Sequence, residues 1–133
     1  SEALLPKEPG ARARARQWMF AALNSIEPFA QELTSIDLFH AGEDWARLRR
    51  PGAEEFVRVR LRALAAALAD KPYLDGDHFT AGDLMMTTVL RELERDRLID
   101  SEPRLAAYVA RCTGRPAFAR AYAAQLGDFR DAA

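Results

Sequence analysis

Cysteine occurs once in the 133 residues, as Cys112, so no internal disulfide can staple the chain and its stability has to come from an apolar core. Uninterrupted apolar runs of membrane-spanning length are missing, and Ser1 is not followed by a signal-peptide pattern. Those absences set the expectation of a reducing, cytoplasmic setting with no membrane partner. Neither sign of charge dominates. With 19 Lys and Arg against 20 Asp and Glu, interspersed, the chain has no electrostatic footprint for nucleic acid or an anionic membrane. Val and Ile are few and no stretch alternates with a period of two, whereas Ala, Leu and Arg abound, which favours helices over strands. Metal-ligand spacing is absent, because His40 and His78 stand alone in different loops and the one cysteine has no partner. No Gly-rich loop joins a strand to a helix, and no nucleophile has a recognisable base. His78 beside Asp77 reads as a solvated turn, so no catalytic residue is assigned.

What is present is organised around one stretch, from Lys71 to Leu90. Thr80 has the chemistry of an N-cap and Asp83 lies three residues on, the spacing of a capping box with Asp in the usual Glu position. Phe79 before the cap and Leu84 at the fourth helical position have the spacing of a hydrophobic staple. At 100° per residue, Leu84, Met85, Met86, Val89, Leu90 and Leu93 scatter round most of the circumference, which predicts a helix surrounded by others that emerges at Arg91 to Arg97.

The length predicts one domain. Residues 1–9, with two prolines and no periodicity, read as an arm or linker remnant. A helical domain is expected over 10–127 and a frayed tail over 128–133. From Trp18 to Leu33 apolar residues keep to one arc of about 140°, interrupted by Pro28, whose kink either curves the helix round the core or shapes a cleft. Phe20 falls outside that arc, in line with Arg16 and Asn24 at four-residue spacing. It is either a stray exposed aromatic or the wall of a second surface. Residues 37–51 show no clear period and read as a long connection, either pinned down by Phe39 and Trp45 or acting as a lid. The Arg47 to Arg50 cluster within it is a solvated surface or a phosphate site. Further helices are expected over Ala53–Ala69, from Pro103 with Leu105, Tyr108, Val109 and Cys112 inward, and from Pro116 with Phe118, Ala121, Tyr122 and Leu126. The fold class is therefore all-α, a bundle of five to six helices, with Cys112 a core residue.

The run Pro72-Tyr-Leu-Asp-Gly-Asp-His-Phe-Thr-Ala-Gly-Asp83 resembles the capping-box motif of the central helix in the all-helical C-terminal domain of the glutathione S-transferase superfamily, which commonly has Ala where this chain has Gly82. Leu5-Pro6 with Ala11 and Arg12, and Gly114-Arg-Pro-Ala-Phe118, resemble the family's first and late helix entries. Together they cover nearly the whole chain. The resemblance implies the half of the enzyme that walls the electrophile pocket and builds much of the subunit interface. In that reading Arg16, Phe20 and Asn24 are candidates for the pocket, facing a small hydrophobic electrophile, in a homodimer. Thiol activation and glutathione recognition belong in the family to an N-terminal thioredoxin-like domain, for which these residues offer no counterpart. Glutathione would be co-substrate of the intact enzyme, and the domain alone would bind no cofactor and conjugate nothing. The alternative is a non-catalytic helical interaction module of the same fold.

Overall fold

A computed structural model describes residues 4–131; residues 1–3 of the expected arm and 132–133 of the expected tail lie outside that range. Most of the described residues are helical, the longest stretch outside the helices being the loop over 69–80. Helix α1 (Pro9–Ala21) passes through a π-helical turn (Ala22–Ile26) into α2 (Glu27–Phe39). After these come α3 (Asp44–Leu68), α4 (Ala81–Arg91), a 3-10 turn (Leu98–Ser101), α5 (Pro103–Thr113) and α6 (Pro116–Asp131). The one β-type pairing among them is an isolated bridge between Tyr73 and Gly76. None of the described helices is long and apolar enough to cross a membrane.

Local chemistry sets the boundaries. Glu8 caps α1, its carboxylate accepting from the Gly10 N–H at 2.7 Å and from the Ala11 N–H, with Pro9 in the first helical position. The Ala11 and then the Gly10 donor hold the Glu8 carboxyl below its ordinary range. Pro28 has no N–H, and in a regular helix its ring would strike the carbonyl of residue 24. The chain answers with the π-turn, in which the Glu27 N–H bonds back to the Ala22 carbonyl. The predicted kink is thus a widened turn that carries Asn24.

Residues 37–51 are not the long connection expected from the sequence. α2 continues to Phe39, a short turn follows, and α3 begins at Asp44. The first half of α3 buries only Ala46 and Ala53, so it has no apolar period to read; the expected Ala53–Ala69 helix is its second half. Charge holds the first half in place. Arg50 grips Asp37 on α2 through Nε and Nη2 at 2.7 and 2.9 Å while Nη1 reaches Glu54 at 2.8 Å, and Arg49 meets Glu32 at 2.7 Å. In the arginine cluster, Arg49 and Arg50 are committed to ion pairs with α2, while the exposed Arg47 pairs with Asp44 on its own helix at 2.8 Å.

The core forms round α4. Met86, Val89 and Leu90 of α4, with Leu93 just beyond it, share one buried cluster with Leu33 of α2, Leu61 and Leu68 of α3, and Leu105 and Tyr108 of α5. Each such large side chain, fully buried, stabilises the fold by about 1.5–3 kcal/mol. Cys112 is buried here as predicted, and burial pushes its thiol up, away from the nucleophilic thiolate. The helix from Pro116 departs from its expected role: it runs to Asp131, past 127, and Tyr122 and Leu126 remain two-fifths exposed outside the core.

Helix α1 crosses α4 at Gly82, and the two backbones meet there. A Cβ on Gly82 would stand 2.6 Å from Trp18 Cβ and 3.1 Å from the Ala15 carbonyl oxygen. The crossing therefore needs a residue without a side chain, which accounts for glycine at this point of the motif. Gly82→Ala should push α1 off α4 and cost about 1–3 kcal/mol. The check is a lowered urea midpoint with a far-ultraviolet circular dichroism spectrum that stays helical.

Candidate functional site

Thr80 stands at the N-cap of α4 with extended backbone, φ −122° and ψ 178°. Its Oγ1 accepts from the Gly82 N–H at 3.2 Å, and the Asp83 carboxylate reaches back to the Thr80 N–H at 2.8 Å, so the two residues form a capping box. Asp83 does more than cap. It is fully buried, and beyond the Thr80 N–H it accepts from the Thr80 hydroxyl at 3.2 Å, the Leu74 N–H at 2.9 Å and the Tyr108 hydroxyl at 3.0 Å. One carboxylate thereby ties the 70–80 loop, the start of α4 and the middle of α5 together. Helical period marks Tyr108 only as a core position; that a buried tyrosine must also find a partner for its hydroxyl is the one signal in the sequence for this contact. Burial first, and the Asp83 charge second, push the Tyr108 phenol up, so it donates and does not ionise.

Phe79 and Leu84 both line an open cleft of about 280 Å³ between α4, the end of α5 and α6. Phe79 also meets the Tyr73 ring edge-on at 5.6 Å. Leu84 is 44% exposed, so α4 is not enclosed on every side as its pattern predicts; the cleft leaves one flank open. Two arginines missed as site residues, Arg91 and Arg115, line the same cleft.

Arg16, Phe20 and Asn24 are elsewhere. All three are exposed, the first two on α1 and Asn24 in the π-turn, and Phe20 keeps 65% of its surface open. They share the side of α1 turned away from Gly82, since Ala15 and Trp18 face α4 there. Among the described residues Arg16 has no ion-pair partner, whereas Arg14 on the same helix is bound to Asp75 at 2.6 Å. The face is an aromatic ring flanked by a free guanidinium and an amide, next to the place where Pro28 widens the helix. It holds no group able to activate a thiol. Among the described residues no cluster of His, Cys, Asp and Glu could hold a metal ion.

Residues 60–111 match the family model of the glutathione S-transferase C-terminal domain. Tetrachloro-p-hydroquinone reductive dehalogenase of Sphingobium chlorophenolicum is 36% identical over 69 residues, which are 50% of this chain and 28% of that protein. The theta class glutathione S-transferase of Xanthomonas axonopodis pv. citri, solved with glutathione bound, superposes with a TM-score of 0.75 at 29% identity, over 89% of this chain and 63% of its own. A Burkholderia graminis glutathione transferase, solved with two glutathione molecules per subunit, shares the fold with a TM-score of 0.80 at 24% identity, over 88% of this chain and 51% of its own. The chain thus spans less than two-thirds of the length of each of these proteins.

The Asp83 centre can be tested as a unit. Asp83→Ala leaves the Leu74 N–H, the Thr80 N–H and the Tyr108 hydroxyl buried without an acceptor, which should cost about 3 kcal/mol or more. Tyr108→Phe should cost about 1–2 kcal/mol. Because both act on one hydrogen bond, the double variant should lose clearly less than the sum in urea melts, and the same non-additivity should hold for Thr80→Val with Asp83→Ala. Additive losses would show that the groups act separately.

Proposed function

We propose that this chain, which belongs to the glutathione S-transferase superfamily through its all-helical C-terminal domain, supplies the electrophile wall of a glutathione-dependent enzyme and completes its site with a thioredoxin-like domain. The observation that carries this reading is the outer face of α1, where Phe20, Arg16 and Asn24 stand exposed at four-residue spacing with none of the described helices over them. An aromatic side chain so placed can stack on a planar, electron-poor ring, Arg16 can steer an anionic substituent, and Asn24 can donate to or accept from a group near the thiol. The name of the Sphingobium relative, a dehalogenase of a chlorinated hydroquinone, supports a small hydrophobic aromatic as the electrophile. The Xanthomonas relative has glutathione bound, which supports glutathione as the co-substrate.

Holding glutathione and stabilising its thiolate needs donors aimed at the sulfur and a fixed backbone around the peptide. Cys112, buried with its thiol pushed up, supplies neither. A thioredoxin-like domain, in the same polypeptide or separate, provides both in this reading. The assembled enzyme is a cytoplasmic homodimer. The chain by itself should give no conjugation of glutathione to 1-chloro-2,4-dinitrobenzene, and conjugation should appear when a thioredoxin-like domain is joined ahead of it. In that joined protein Phe20→Ala should raise KM for the aromatic by about tenfold, the loss of one stacked ring, with little change in KM for glutathione. Saturating turnover by the chain alone, abolished in Asn24→Ala, would place the site within these helices and defeat the reading.

A further inference from the structure

The tip of the α2–α3 hairpin closes over almost nothing apolar. Over residues 38–52 the one buried residue is Ala46, while Leu38, Phe39, Trp45 and Leu48 stand exposed, so the hydrophobic effect contributes little to holding the start of α3 on α2. Charge does that instead. Arg50 takes both oxygens of Asp37 on α2 and one of Glu54, and its Nη2 also comes within 3.8 Å of Asp96 in the turn after α4. Arg49 reaches Glu32 on α2. Arg50 and Arg49 remain 36% and 43% exposed, so dissolved ions have access to both.

The backbone is weakest where this segment joins the rest of α3. Pro51 lies inside the helix, where it has no N–H for the Arg47 carbonyl and its ring crowds that oxygen. Gly52 follows, and the pair combines the two poorest helix formers. Residues 44–50 are thereby left as about two turns, a length that does not persist in water without tertiary contacts. Beyond Gly52, Val57, Leu61, Leu64 and Leu68 anchor the second half of α3 in the core. We propose that residues 44–50 are a hinged strap, which lifts from α2 about Pro51 and Gly52 while the core stays closed, with Arg50 as its latch. Ala46 then leaves the cluster it shares with Ile36, and dissolved salt shifts the balance toward the open form. The strap shares no residue with the outer face of α1 and stands whether or not that face walls an enzyme pocket.

The test is native-state hydrogen exchange of the chain, resolved by residue with NMR. The amides of 47–50 should exchange through one shared opening whose rate hardly changes in dilute urea, because little surface is exposed, whereas amides of α4 and α5 should respond steeply. Raising salt from about 0.01 to about 1 M, which cuts the Debye length from about 30 to about 3 Å, should speed exchange at 47–50 by about threefold. Arg50→Gln should speed it by about tenfold and flatten the salt response. Arg50→Lys, which keeps the charge without the fork, should fall between. Gly52→Ala, whose Cβ would meet only the end of the Arg49 side chain at 3.5 Å, should slow exchange by about fivefold. Exchange at 47–50 with the rate and urea dependence of α4, no response to salt or to Arg50→Gln, or faster exchange in Gly52→Ala would each overturn the proposal.

Discussion

A carboxylate taken out of water without a cation beside it must have its lone pairs filled by donors, or the fold pays several kcal/mol. Asp83 meets that demand with two backbone N–H groups and two hydroxyls, drawn from the 70–80 loop, the cap of α4 and α5. The requirement works in both directions. The donors hold the charge, and the charge fixes where Leu74, Thr80 and Tyr108 can be. Because α1, the π-turn, α2 and α5 all pack on α4, its starting point and angle decide where they find their contacts, and α3 is placed in turn by α2 and α5.

From that fixed start a second constraint follows. Helix α1 reaches α4 at Gly82, one residue before Asp83, and comes close enough that a methyl group would not fit. The side of α1 that meets α4 is thereby set, and the opposite side, with Arg16, Phe20 and Asn24, is left open. Pro28 acts further along the same helix, forcing a π-turn that carries Asn24 out of the regular ladder. Packing at one residue and sterics at another thus place the face on which the enzymatic reading depends.

The far side of α4 is governed by what α6 does not do. It docks by its first turns, leaving Tyr122, Leu126 and Phe129 open and a cleft beneath Phe118. Arginines stacked on aromatic rings fill part of the rim, a way to keep a cation at an apolar surface while its edge still offers donors. The outer face of α1 and this cleft differ in kind. The face is convex and needs a covering surface to become a pocket, whereas the cleft is concave already.

How much of this was legible depended on whether a residue's role was local or distant. The capping box could be read because Thr80 and Asp83 are three apart and their chemistry is reciprocal within one turn. The inward set of α5, Leu105, Tyr108, Val109 and Cys112, could be read because helical period alone places it. The first half of α3 could not, because it buries two alanines and is held by ion pairs to acids at the far end of α2 and on the next turn. Charges at those separations have no period. By itself the sequence determined the all-helical class, the place of the central helix and the buried state of Cys112, since each follows from spacing along one segment. Only the tertiary structure decided that Asp83 serves Tyr108 twenty-five residues away, that Gly82 is a crossing point, and that Thr87, Arg91 and Arg115 share a cleft. These are relations between segments, and their geometry exists only once the helices have packed.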